Sequence, residues 1–262
     1  MIDWFENIGP VWLALLATIF TWGLTALGAA PALAFRRIER RLLGGMLGFA
    51  GGVMLAAACW SLLIPALEQA GEMGLPMTPT VTGGFMCGGI LMLLGDRALD
   101  VRKRCGKGMD KCSRLLMVSI TLHNIPEGLC VGVAFGAAAA GTGSATLSGA
   151  WLLALGIGLQ NFPEGAAVRL PMLRGGMSRR RAFFMGQLSG SVEPVSGILG
   201  AALVIYMRWL LPFLLAFAAG AMVYAVAGEI LPQSREDDPS GAAAVWAVAG
   251  FALMMALDVA LG

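Results

Sequence analysis

Long apolar runs, broken by short polar segments, organise this chain. A helix needs about 20 mostly apolar residues to cross a bilayer core. Reading the runs by that measure predicts eight spans, near 8–34, 43–68, 79–95, 115–139, 149–171, 183–206, 209–231 and 243–261. The third run is short, and the second has room to continue past Glu68. The expectation is an all-α integral membrane protein whose single transmembrane domain covers residues 1–262.

Composition sharpens this. Hydrophobic residues make up 58% of the chain and charged residues 13%, against about 25% charge in soluble domains. No room is left for a soluble domain, and nucleic acid is not an expected partner. The basic residues are placed asymmetrically. Sixteen of the eighteen fall in alternate loops: Arg36, Arg37, Arg40 and Arg41; Arg97, Arg102, Lys103, Arg104, Lys107, Lys111 and Arg114; Arg174, Arg179, Arg180 and Arg181; and Arg235. Arg208 falls on the other side, and Arg169 near the cytoplasmic end of span 5. The positive-inside rule then predicts a multi-pass protein of the cell (inner) membrane with both termini outside the cytosol. The first residues carry Asp3 and Glu6 and no basic side chain, so the first apolar segment reads as a retained span rather than a signal peptide. Of the five cysteines, Cys59, Cys87 and Cys130 sit in apolar runs as small packing residues. Cys105 and Cys112 lie in a basic loop, where reduced thiols and a topological role are expected.

Acidic residues inside spans are costly and face a pathway or a partner. Glu127, Glu164, Glu193 and Glu229 lie deep in spans with no lysine to match them, whereas Glu68 and Asp258 lie near span ends. Four buried acids without bases call for a cation.

Two of these acids sit in a repeated hexapeptide, HNIPEG at 123–128 and QNFPEG at 160–165. In the first copy His123 and Glu127 are four residues apart and share a helix face, with Asn124 one step round. Pro126 removes a helical hydrogen bond from the Leu122 carbonyl, which at membrane depth is tolerated only against protein or a wet cavity. Gly128 allows another helix to approach. Gln160, Asn161, Pro163, Glu164 and Gly165 repeat this logic. Both copies fall near the midplane, on spans running in opposite directions, which is a transporter arrangement. One imidazole, carboxylates and amide oxygens without thiolate suit a borderline divalent ion: Zn²⁺ first, with Fe²⁺, Mn²⁺ and Cd²⁺ compatible. Span 6 adds Gln187, Ser189 and Glu193 in GQLSGSVEP, with Glu193 a further ligand candidate. Glu229 lies towards the cytoplasmic side as an exit candidate, and Ser61 and Met54 in span 2 are candidates for lining the path.

Together, HNIPEGLCVGVAF, GIGLQNFPEGAAVRLP, GQLSGSVEP and AGAMVYAVAGEILP resemble the ZIP (Zrt/Irt-like) divalent metal transporters, in particular their bacterial GufA-like branch. GFAGGVMLAAACWSLLIPALE in span 2 resembles it too. The resemblance implies an eight-helix bundle with the metal site between helices 4 and 5, a homodimer in the lipid bilayer, and uptake of divalent metal into the cytosol. It implies one metal position made by His123, Glu127, Gln160 and Glu164. It implies an adjacent one made by Asn124, Glu127, Asn161, Glu164 and Glu193. Asn161 stands where relatives often carry Asp, which removes a charge from the second position. The metal is then cargo, and no catalytic cofactor is expected. The alternative is a membrane-embedded metal-dependent enzyme, but one histidine cannot supply H-E-x-x-H.

Overall fold

The computed structural model describes residues 9–30, 33, 39–99, 109–141, 145–174 and 177–261. Among them there is no strand, and the chain runs as long helical segments: α1 (Pro10–Ala29), α2 (Arg40–Glu72), α3 (Met77–Leu99), α4 (Met109–Ala140), α5 (Leu147–Arg174), α6 (Arg179–Tyr206), α7 (Arg208–Asp237) and α8 (Ala242–Leu261). Six of these, α1, α2, α3, α6, α7 and α8, are long and apolar enough to cross a membrane. The motif helices α4 and α5 have 32 and 28 residues. Helix α2 does run past Glu68, and α3 is not short: it has 23 residues and takes in Asp96 and Arg97. Asp3, Glu6, Arg36, Arg37, Arg102, Lys103, Arg104, Cys105 and Lys107 lie outside the described residues.

Local chemistry sets the ends. Pro10 opens α1, where its missing N–H costs nothing. Gly74 and Gly141, at φ 65° and 60°, stop α2 and α4 in the left-handed conformation that side chains resist. The Arg208 guanidinium donates to the Ala140 carbonyl at 3.1 Å, placing a cation at the negative end of α4.

Backbone-to-backbone seams hold the bundle together. The most extensive join α1 to α5, α2 to α8, α3 to α7 and α4 to α6. A methyl group on Gly52 would collide with the Ala247 carbonyl, and one on Gly250 with that of Phe49. In the other pair, a methyl on Gly220 would collide with the Phe85 carbonyl and one on Gly88 with that of Phe217. These are the same contacts made twice. Phe49, Gly52 and Met54 of α2 stand in register with Phe217, Gly220 and Met222 of α7, and Gly88, Met92 and Asp96 of α3 with Gly250, Met254 and Asp258 of α8. Likewise Gly128 of α4 meets the Glu193 backbone in α6, and Gly165 of α5 meets that of Thr25 in α1. The repeat seen in the hexapeptides therefore extends along the chain: α1, α2 and α3 correspond to α6, α7 and α8, and α4 to α5.

The same correspondence governs the breaks in the helices. Helix α2 widens into a π turn at Ala58–Leu63 and α7 into one at Val226–Ile230, each starting at the equivalent position and each followed by a proline, Pro65 and Pro232. Such turns recur at functional sites because they re-aim side chains without ending the helix. Ser61 and Glu229 occupy equivalent positions in the two turns. Helix α6 tightens instead into a 3₁₀ turn at Gly190–Val192, just before Glu193 and Pro194. The apolar core fills the space between these breaks, with Phe135 of α4 edge-on to Trp151 of α5 at 5.1 Å and Trp60 of α2 edge-on to Phe251 of α8 at 5.5 Å.

Candidate metal site

Helices α4 and α5 bring the two hexapeptides together. Both run helically through their prolines, Pro126 and Pro163. His123, Asn124, Glu127, Gln160 and Asn161 are all buried, and Glu164 is half-buried. The Gln160 side-chain amide donates to Glu127 Oε1 at 2.8 Å, a direct link between the copies. Glu127 feels the charges of both Glu164 and Glu193, and Glu164 that of Glu229. Carboxylates crowded in a dry site repel one another unless a cation lies among them.

Hydrogen bonding sorts the donors further. Six buried side-chain atoms in the two motifs have no partner among the described residues: His123 Nε2, Asn124 Oδ1, Glu127 Oε2, Gln160 Oε1, Asn161 Oδ1 and Glu164 Oε1. Buried polar atoms are normally satisfied, and a cluster that is not requires a ligand or water. One is an imidazole nitrogen and five are oxygens, a set that fits a borderline dication.

Glu193 differs. It is fully buried, but its carboxylate accepts from Asn161 Nδ2 at 3.0 Å to each oxygen and from the Thr21 hydroxyl of α1. Thr25, one helical turn further on, donates its hydroxyl instead to the Thr21 carbonyl at 3.4 Å. In the same segment the Ser189 hydroxyl donates to the Gly186 carbonyl at 2.7 Å, and the Gln187 backbone carbonyl accepts from Trp22 Nε1 at 2.7 Å.

Towards one end of the motif helices, Glu229 on the π turn of α7 comes within 3.5 Å of His123 Nδ1. Asp96 of α3 joins them, so that one ligand atom from each of Asp96, His123 and Glu229 lies within 4.8 Å of the others. Tyr224 hydrogen-bonds to Asp96. Hydropathy does not single out Asp96, because an acid beside an arginine at the edge of a short apolar run looks like a loop. The signal that marks it is the Gly–Met–Asp spacing shared with Gly250, Met254 and Asp258. On the other π turn, the Ser61 hydroxyl donates to Asp258 Oδ1 at 2.7 Å, while Asp258 Oδ2 is buried without a partner. Ser61–Asp258 is thus the repeat counterpart of Glu229–Asp96. Met54 lies fully buried in the apolar core.

Known proteins resemble this chain along most of its length. The family described as ZIP Zinc transporter matches residues 99–258. Zinc transporter ZIP11 of Bos taurus is 40% identical to this chain, the match covering 97% of the chain and 98% of the relative. Zinc transporter GufA of Myxococcus xanthus is 34% identical, over 95% of the chain and 98% of the relative. Zinc transporter ZIPB of Bordetella bronchiseptica is 35% identical, over 98% and 84%. With the repeated motif intact and the match spanning nearly the whole chain, the protein belongs to the ZIP zinc transporter family.

Proposed function

We propose that this protein carries divalent transition-metal ions, Zn²⁺ foremost with Fe²⁺, Mn²⁺ and Cd²⁺ compatible, across the cell (inner) membrane into the cytosol. It works as a transporter and not as an enzyme, and the metal is its substrate. The observation that carries the site assignment is the set of six buried, partnerless donor atoms on two register-equivalent helices. His123, Glu127, Gln160 and Glu164 hold the ion. Asn124, Asn161 and Glu193 line the adjoining position.

His123 links this site to the next. With Glu229 beside Nδ1, that nitrogen carries the ring proton, and Nε2 keeps the lone pair for metal. The Asp96–Glu229 pair then serves as the inner vestibule, which receives the ion after the midplane. Ser61 and Asp258, its repeat counterparts, serve as the outer one. All eight helices cross the bilayer with both termini outside. Each half of the repeat then maps an odd-numbered helix onto an even-numbered one, as an inverted repeat requires. The protein acts as a homodimer.

Zn²⁺ uptake into proteoliposomes tests this reading. His123→Ala and Glu127→Ala each abolish flux while the protein still elutes and melts as wild type does. Normal flux in both variants would sink the site.

A further inference from the structure

The ZIP resemblance implies two adjoining metal positions, and Glu193, the acid that belongs to the second alone, differs in state from the other donors. His123, Glu127, Gln160 and Glu164 each keep a buried atom without a partner among the described residues, and so do Asn124 and Asn161. At Glu193 neither carboxylate oxygen is left over. The Asn161 amide spans both oxygens at 3.0 Å, and Thr21 adds its hydroxyl. A carboxylate offers about four lone-pair sites, and these donors take up most of them. The amide orientation follows from charge, since Oδ1 turned towards the carboxylate would set oxygen against oxygen.

A second dication at Glu193 would have to displace the amide from both oxygens and break the hydroxyl bond from Thr21. Asn161 brings no negative charge to offset that loss. The repeat offers no substitute acid either, because the position equivalent to Glu193 is Thr25.

We propose that the midplane site takes a single dication. Asn161 sets that number: with Thr21, its amide stands where a second ion would sit and ties α5 and α1 to Glu193 of α6. This inference rests on the site assignment above, and one experiment separates the two. Purified protein in detergent is equilibrated with saturating Zn²⁺, freed of excess, and its bound metal counted per chain.

The expected result is one Zn²⁺ per chain in the wild type, lost in the His123→Ala/Glu127→Ala double variant. Asn161→Asp restores an acid beside Glu193 and raises the count to two, and Asn161→Asp/Glu193→Gln returns it to one. Two ions in the wild type, one of them lost on Glu193→Gln, would overturn the inference and leave the site assignment standing. So would a folded Asn161→Asp protein that still binds one. Bound Zn²⁺ that survives the His123→Ala/Glu127→Ala change would overturn the site assignment, and the inference with it. The wild-type count needs no variant to fold.

Discussion

His123 and Glu229 face each other at 3.5 Å across the seam between α4 and the π turn of α7. The ring belongs to the midplane motif and the carboxylate to the inner vestibule, so one contact joins two stations of the proposed path. A carboxylate behind a metal-binding histidine fixes its tautomer and orientation, and losing such a partner typically costs about 10- to 100-fold in affinity. Glu229→Gln is expected to weaken Zn²⁺ binding at the midplane by about tenfold, the low end of that range, measured by competition with a chelating dye.

His123→Gln makes the two hexapeptides alike in their first residue. The site then keeps its carboxylates and loses its imidazole, moving towards the oxygen-only sets that suit harder ions. Zn²⁺ affinity should fall much further than Mn²⁺ affinity. Titrating both metals against wild type and variant checks this.

Metal binding competes with protons for the same donors. Zn²⁺ affinity should therefore fall as the solution is acidified. In His123→Gln the dependence should flatten, because one proton-accepting ligand is gone. The check is the slope of log affinity against pH for the two proteins; equal slopes would remove His123 from the ligand set.

At the outer vestibule, Asp258→Asn keeps the size of the side chain and removes its charge. Capture of dilute ions should suffer while the midplane site is untouched. KM for Zn²⁺ uptake should rise several-fold, with the maximal rate nearly unchanged. A fall in the maximal rate alone would place Asp258 outside the path.

The glycine seams predict a contrast in stability. Gly88→Ala puts a methyl group against the Phe217 carbonyl, with only backbone to yield, whereas a methyl on Gly83 in the same helix would meet nothing within 4 Å. Overpacking costs about 1–3 kcal/mol, while Gly to Ala at an open helix position gains about 0.5–1 kcal/mol. Thermal unfolding in detergent should show Gly88→Ala lowered and Gly83→Ala unchanged or raised.

The hexapeptides are legible in the sequence because polar side chains inside an apolar run have few reasons to be there. His123, Glu127, Gln160 and Glu164 stand out for that reason; the first three are buried and Glu164 is half-buried. The π turns are not legible. An extra residue in one turn leaves composition and hydropathy as they were, and only the register match between Ala58–Leu63 and Val226–Ile230 betrays it. Thr21 and Thr25 escape notice for another reason. A threonine in an apolar helix commonly bonds to its own backbone, as Thr18 does to the Ala14 carbonyl at 2.7 Å. Nothing local marks Thr21 as a partner for Glu193, 172 residues away.

The seams of the repeat are nearly the same in both halves, but the donors are not. His123 answers to Gln160, Glu229 to Ser61, and Glu193 to Thr25. The scaffold is therefore ambidextrous, and the handedness of the path resides in a few side chains set into it. Exchanging those three pairs between the halves would leave each backbone seam in place and turn the sequence of imidazole, carboxylate and hydroxyl met by a passing ion end for end.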